Sequence, residues 1–162
     1  MKAPVNVGLI GSQFISAIHA EALKHCAHAH LAAVASPTPG NAQALAKRFG
    51  IPAAFTDYRE LLDQSAIQMV VAGVPNHLHC QVVLDAAAAG KHVVIEKPLC
   101  LNLAEADRMI AACRENSVKL MYAEELCFAP KYVRRTPSAR PKNFGARKLG
   151  SISFNSLMPF FG

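Results

Sequence analysis

The stretch Val5–Ala20, VNVGLIGSQFISAIHA, joins a short apolar β-type run to a glycine turn and then to a helical pattern. Phe14, Ile15, Ile18, Ala22 and Leu23 recur at helical spacing. A strand, a glycine turn and a helix form a geometry that binds pyrophosphate, because free backbone N–H groups and the positive helix end both face the anion. Gly11 stands where the first glycine of Gly-x-Gly-x-x-Gly/Ala belongs, whereas Gln13 and Ser16 occupy the second and third positions. Gly8 falls inside the strand and replaces neither. The second glycine lets the backbone approach the diphosphate, and serine is only slightly larger than the alanine tolerated at the third. The turn alone therefore leaves two readings: a nucleotide site with substitutions, or a bare strand and helix.

Outward from this turn, apolar runs alternate with helical patterns in βα fashion over the first 122 residues. Leu31 to Ala35 reads as the second strand, after a helix from Phe14 to about His28. Thr38-Pro39 predicts the start of the next helix, with threonine as N-cap and proline in its first position, and Gly50 stops it. A short helix near Tyr58 to Asp63 precedes the strand Met69 to Ala72. Pro75-Asn76 opens a helix that ends at Gly90, and His92 to Ile95 is strand again. Asn102 and Glu105 form a capping-box pattern for a helix reaching about Asn116, and Lys119 to Tyr122 is taken as the sixth strand. The rhythm predicts an α/β, doubly wound Rossmann domain with a mostly parallel sheet, whose ligands sit at the carboxyl ends of the strands where the strand order reverses.

The end of the second strand offers a further check, since an acidic residue there binds the ribose hydroxyls in such sheets. Ser36 occupies that place. Loss of the carboxylate removes a repulsion toward a 2′-phosphate, although no adjacent arginine attracts one.

The 162 residues suffice for one core. The net charge of +6 is unevenly placed: residues 1–125 carry ten Lys and Arg against eleven Asp and Glu, whereas residues 126–162 carry seven Lys and Arg and no acid. The segment RRTPSARPKNFGARKLG, Arg134 to Gly150, is broken by prolines and glycines and reads as a solvated basic loop. Without aromatic interleaving it gives little support to nucleic-acid binding. The sequence SISF offers one further strand, and NSLMPFFG ends the chain on apolar residues that could serve homo-oligomer contacts. Five scattered cysteines without a CxxC pair suit reduced core positions rather than disulfides or zinc. His25, His28 and His30 straddle a helix end and a strand, so their side chains are expected to diverge rather than share a metal. No apolar run reaches the ~18 residues of a membrane span, no secretory signal precedes the first strand, and the expected compartment is the cytoplasm.

Two motifs extend the reading. Within VAGVPNHLHCQVVLDAAAAGKHVVIEKPLCLNLAEADRMI, Val74-Pro75-Asn76-His77-Leu78-His79 and Glu96-Lys97-Pro98 stand well separated. Together they resemble the Gfo/Idh/MocA family, relatives of glucose-fructose oxidoreductase and inositol dehydrogenase. The opening strand, AKRFGIP and AGKHV agree in order, and the resemblance runs from about Val5 to Arg134. It implies an N-terminal Rossmann domain holding NAD or NADP, here residues 1–125, followed by a larger α/β substrate domain of which residues 126–162 would be a basic, truncated start. Carried over by position, Gly11, Ser12, Gln13, Phe14 and Ile15 would meet the diphosphate and Ser36 the adenosine ribose. Pro75, Asn76 and His79 would meet the middle of the cofactor, and Glu96 and Lys97 would lie near the nicotinamide.

The resemblance further implies hydride transfer at a sugar or polyol-like hydroxyl, with Lys97 as the catalytic residue. An ammonium at a strand end, followed by proline, can hydrogen-bond the reacting hydroxyl and pass its proton. Blander roles stand beside these: a salt bridge for Lys97, a helix cap for Asn76, and cover for the first helical turn for His79. Family members continue for about as many residues again and supply an aspartate and a histidine from the second domain. Negligible turnover is therefore expected of this chain alone, and a disrupted gene or a cut chain would account for its length. A non-catalytic remnant with weak or no cofactor affinity is the alternative.

Overall fold

A computed structural model describes residues 3–124 of the chain. The segments SISF, Arg134 to Gly150 and NSLMPFFG, Cys127, and the boundary expected at residue 125 lie outside the described residues.

Six parallel strands alternate with helices: β1 (Val5–Ile10), α1 (Phe14–Lys24), β2 (Ala29–Ala35), α2 (Asn41–Phe49), β3 (Ala53–Phe55), α3 (Tyr58–Leu62), β4 (Met69–Ala72), a 3-10 turn (Asn76–Leu78), α4 (His79–Ala88), β5 (His92–Ile95), α5 (Leu103–Glu115) and β6 (Leu120–Tyr122). The strand order is β3-β2-β1-β4-β5-β6, with every neighbouring pair parallel. The chain winds outward from β1 to one edge, then returns to β4 on the other side of β1. The order reverses there, so a crevice is left between the carboxyl ends of β1 and β4.

Both sheet faces are covered, which is why the strands read as unbroken apolar runs. Side chains alternate across the sheet with period two. Val7 and Leu9, Val34 and Val71 join Leu45 and Ala20 in the core under α1 and α2. Ile10, Ala33, Ala35, Val70, Ala72, Val93 and Ile95 join Leu61, Val83 and Met109 in the opposite core. Gly8 has a packing reason within β1, because a Cβ there would sit 2.6 Å from Leu61 Cδ2.

Helix ends follow local chemistry. Asn102 Oδ1 accepts from Glu105 N–H at 2.9 Å, as the capping-box pattern expects, whereas Glu105 Oε2 accepts from the Leu101 N–H at 2.9 Å, one residue before the cap rather than at it. Gly50 and Gly90 adopt φ of +69° and +71° and stop α2 and α4.

Three local expectations are corrected. Helix α2 begins at Asn41 rather than at Thr38-Pro39, because Gly40 at φ +78° turns the chain and the Asn41 N–H bonds the Thr38 carbonyl at 3.2 Å. Helix α1 ends at Lys24, short of His28, and β2 starts at Ala29. The strand β3 had no counterpart among the segments named from the sequence: three residues after Pro52, two of them alanine, give almost no β signal.

Candidate functional site

The segments singled out from the sequence converge at the carboxyl edge of the sheet. Each continues the ladder one residue past its strand. Gly11 N–H bonds the Ala35 carbonyl at 2.8 Å, Gly73 N–H that of Ile10 at 2.8 Å, Ser36 N–H that of Phe55 at 3.1 Å and Glu96 N–H that of Ala72 at 3.2 Å. These bonds hold the starts of four loops to the rigid sheet around the crevice.

The glycine turn is built for close approach. Gly11 has φ +112°, and a Cβ there would collide with the carbonyl oxygen of Gly73. Gln13 is the N-cap of α1, at φ −83° and ψ −170°, so its backbone has no need of glycine; its side chain is exposed and caps nothing. The first turn of α1 contains no acid, and its leading N–H groups have no intrahelical acceptors, so the helix end favours an anion.

Ser16 is 2% exposed, and its Oγ has no hydrogen-bond partner among the described residues. It fills the place that a third glycine leaves empty, and the room comes from Gly73 across the crevice. A Cβ on Gly73 would lie 2.8 Å from Ile15 Cγ2 and 3.1 Å from Ser16 Oγ. The close helix–strand packing usually provided by that glycine is thus shared between positions 16 and 73. A phosphate group fits these residues: there is a cradle that a Cβ would fill, an acid-free helix end and an orphaned hydroxyl beneath.

At the end of β2, Ser36 is 3% exposed and its Oγ accepts from Ser12 Oγ–H at 2.7 Å, linking the turn to the place expected for the adenosine ribose. Pro75 and Asn76 are exposed at the end of β4, and the Asn76 side chain is not the cap of the following turn. His79 is fully buried, with Nδ1 2.8 Å from the Pro98 carbonyl oxygen and Nε2 3.0 Å from that of Val74. It ties the two motif loops together from below, which goes beyond covering a helical turn.

Glu96 is 7% exposed, and a carboxylate so placed needs partners. His19 Nε2–H donates to its Oε1 at 2.8 Å, and the Lys97 backbone N–H to its Oε2 at 3.0 Å. The Lys97 side chain is exposed, and no salt bridge engages it among the described residues. His19 and Gly73 were not singled out from the sequence. The only signals for them were a histidine on α1 one turn beyond the glycine motif and a glycine just after a strand.

A model of the oxidoreductase family with the NAD-binding Rossmann fold, Gfo/Idh/MocA, matches residues 5–124. This chain belongs to that family. A levoglucosan dehydrogenase from Pseudarthrobacter phenanthrenivorans is 31% identical, over 96% of this chain and 43% of its own length. The myo-inositol 2-dehydrogenase of Thermotoga maritima is 34% identical, over 72% of this chain and 35% of its own. Among solved structures, a 3-ketoreductase from Actinomadura kijaniata in complex with TDP-benzene and NADP superposes with a TM-score of 0.78 at 30% identity, covering 82% of this chain and 42% of that one. The chain thus spans well under half the length of each of these family members. Membership agrees with the expected fold, and the family's cofactor is of the nicotinamide dinucleotide type.

His25 bonds Glu21 at 3.0 Å and His30 bonds Asn6 at 3.1 Å, so these two rings have separate partners. The described cysteines are free; burial raises the Cys80 thiol and pushes that of Cys113 up to about 11, which disfavours their reactive thiolates. No helix among the described residues is long and apolar enough to cross a membrane.

Proposed function

We propose that residues 5–124 hold NAD(H) or NADP(H) across the crevice between β1 and β4, as the cofactor module of an oxidoreductase acting on a sugar or polyol-like hydroxyl. The observation that carries this reading is the pairing of the anion-ready turn of α1 with the exposed ammonium of Lys97 at the end of β5, which no salt bridge engages among the described residues. The dinucleotide supplies a carrier that takes or gives a hydride. Lys97 supplies the proton: its ammonium hydrogen-bonds a carbonyl oxygen and protonates it as the carbon is reduced, and its amine takes the hydroxyl proton in the reverse direction. Glu96, fixed by His19, anchors the Lys97 backbone and keeps the stem of that side chain at the crevice. The names of the levoglucosan and myo-inositol dehydrogenases support a polyhydroxylated substrate.

The exposed Gln13 at the second turn position favours a second reading, a Rossmann scaffold with weak or no affinity for a dinucleotide. Titration of NADH and NADPH, followed by their fluorescence, separates the two. Saturable binding supports the cofactor module; no binding of either at millimolar concentration refutes it. Lys97→Met is expected to leave the protein's unfolding transition almost unchanged, within about 0.5 kcal/mol, because the side chain is exposed and in no salt bridge among the described residues. A large destabilisation would show that the lysine is structural.

A further inference from the structure

We infer that the Ser12–Ser36 hydroxyl pair leaves this site indifferent to the adenosine 2′ substituent, so that NAD(H) and NADP(H) bind with comparable affinity. The inference rests on the dinucleotide reading above and answers a question which that reading leaves open. In sheets of this kind the residue ending the second strand discriminates: a carboxylate binds the 2′-hydroxyl and repels a 2′-phosphate, whereas a nearby arginine attracts the phosphate.

Neither device is present in the corresponding segment. Ser36 directly follows β2, neutral and 3% exposed. Its Oγ accepts from Ser12 Oγ–H at 2.7 Å, which leaves its own proton free to donate. That single donor suits a ribose hydroxyl oxygen and a phosphate oxygen alike. From Ser36 to Ala46 no residue is charged, and the first turn of α2 holds no acid. The cation that follows the neighbouring strand β3 is engaged by carboxylates: Arg59 lies 3.8 Å from Asp57 and 3.2 Å from Asp85 of α4.

Parallel fluorescence titrations of NADH and NADPH test this on the wild-type chain and on Ser36→Asp, with circular dichroism to verify that the variant is folded. The wild-type dissociation constants are expected to agree within about threefold, and Ser36→Asp is expected to weaken NADPH relative to NADH by at least about tenfold. A wild-type preference beyond about tenfold in either direction overturns the inference while leaving the cofactor reading intact. A folded Ser36→Asp protein with an unchanged ratio overturns it as well, since position 36 would then not face the 2′ group. Failure of both cofactors to bind refutes the cofactor reading itself, and the inference falls with it.

Discussion

Replacing His79 with leucine tests whether the two motif loops are held together from beneath. The ring is fully buried and lies 2.8 Å and 3.0 Å from the carbonyl oxygens of Pro98 and Val74. Leucine fills a similar volume but offers no donor, so the carbonyl that the neutral ring's single N–H engages loses its partner. A buried group left unsatisfied costs about 1–3 kcal/mol. With unfolding entropy near 2.1 cal/mol/K per residue, a domain of this size loses roughly 0.26 kcal/mol per degree. The expected fall in Tm is therefore about 4–12 °C. Thermal unfolding followed by circular dichroism reads this directly, and urea unfolding gives the same free energy from the midpoint and slope. A loss below about 1 kcal/mol would refute the reasoning, because it would mean that the carbonyl finds water or never depended on the ring. NADH affinity should fall with the stability, since the loops that begin at Gly73 and Glu96 would then be tied only by the sheet.

Further outcomes follow from other parts of the molecule. Gln13→Gly should tighten NADH binding, by up to about tenfold, because the side chain stands at the mouth of the turn while glycine is itself an acceptable N-cap; unchanged or weaker binding would acquit Gln13. His92 is held below its ordinary pKa by burial and then by the Lys119 charge, and its Nδ1 accepts from the Lys119 N–H at 3.1 Å. Its folded pKa lies below the unfolded value near 6.5, so the unfolded chain binds the proton more readily in that window. The stability that His92 contributes is complete above pH ~6.5 and is lost as the pH falls toward the folded pKa. Thermal melts between pH ~5 and ~7.5 should show a steeper acid loss for the wild type than for His92→Leu, and identical slopes would exclude the histidine as a contributor.

Elements with strong local signals were legible in the sequence. Glycines in left-handed conformation stop α2 and α4, the Asn102–Glu105 cap opens α5, and the apolar runs of β1, β4 and β5 lie buried at the centre of the sheet. Elements that depend on tertiary context were not. The strand β3 is formed by pairing with β2 over three residues of weak propensity, and Pro39 sits in a turn whose geometry Gly40 decides. The site divides in the same way. Turn, strand ends and motif lysine follow from order along the chain, but the partner of Glu96 lies on α1, far away in sequence, and nothing local identifies His19 as that partner. Gln13 replaces the glycine that lets the backbone approach a diphosphate, and because its backbone is ordinary extended chain, any cost lies in its side chain.

Ser16 and Gly73 carry one further consequence, for the routes by which such a turn can change. A Cβ at 73 would meet both Ser16 Oγ at 3.1 Å and Ile15 Cγ2 at 2.8 Å, so the serine shares its volume with a second neighbour. A lineage that restores a glycine at 16 relieves only the first of these contacts; enlarging 73 with Ser16 and Ile15 both in place overpacks the turn, at a cost of about 1–3 kcal/mol. A missing glycine in a phosphate turn can thus be offset just past the end of a strand more than fifty residues away, by a residue that a one-dimensional fingerprint never inspects.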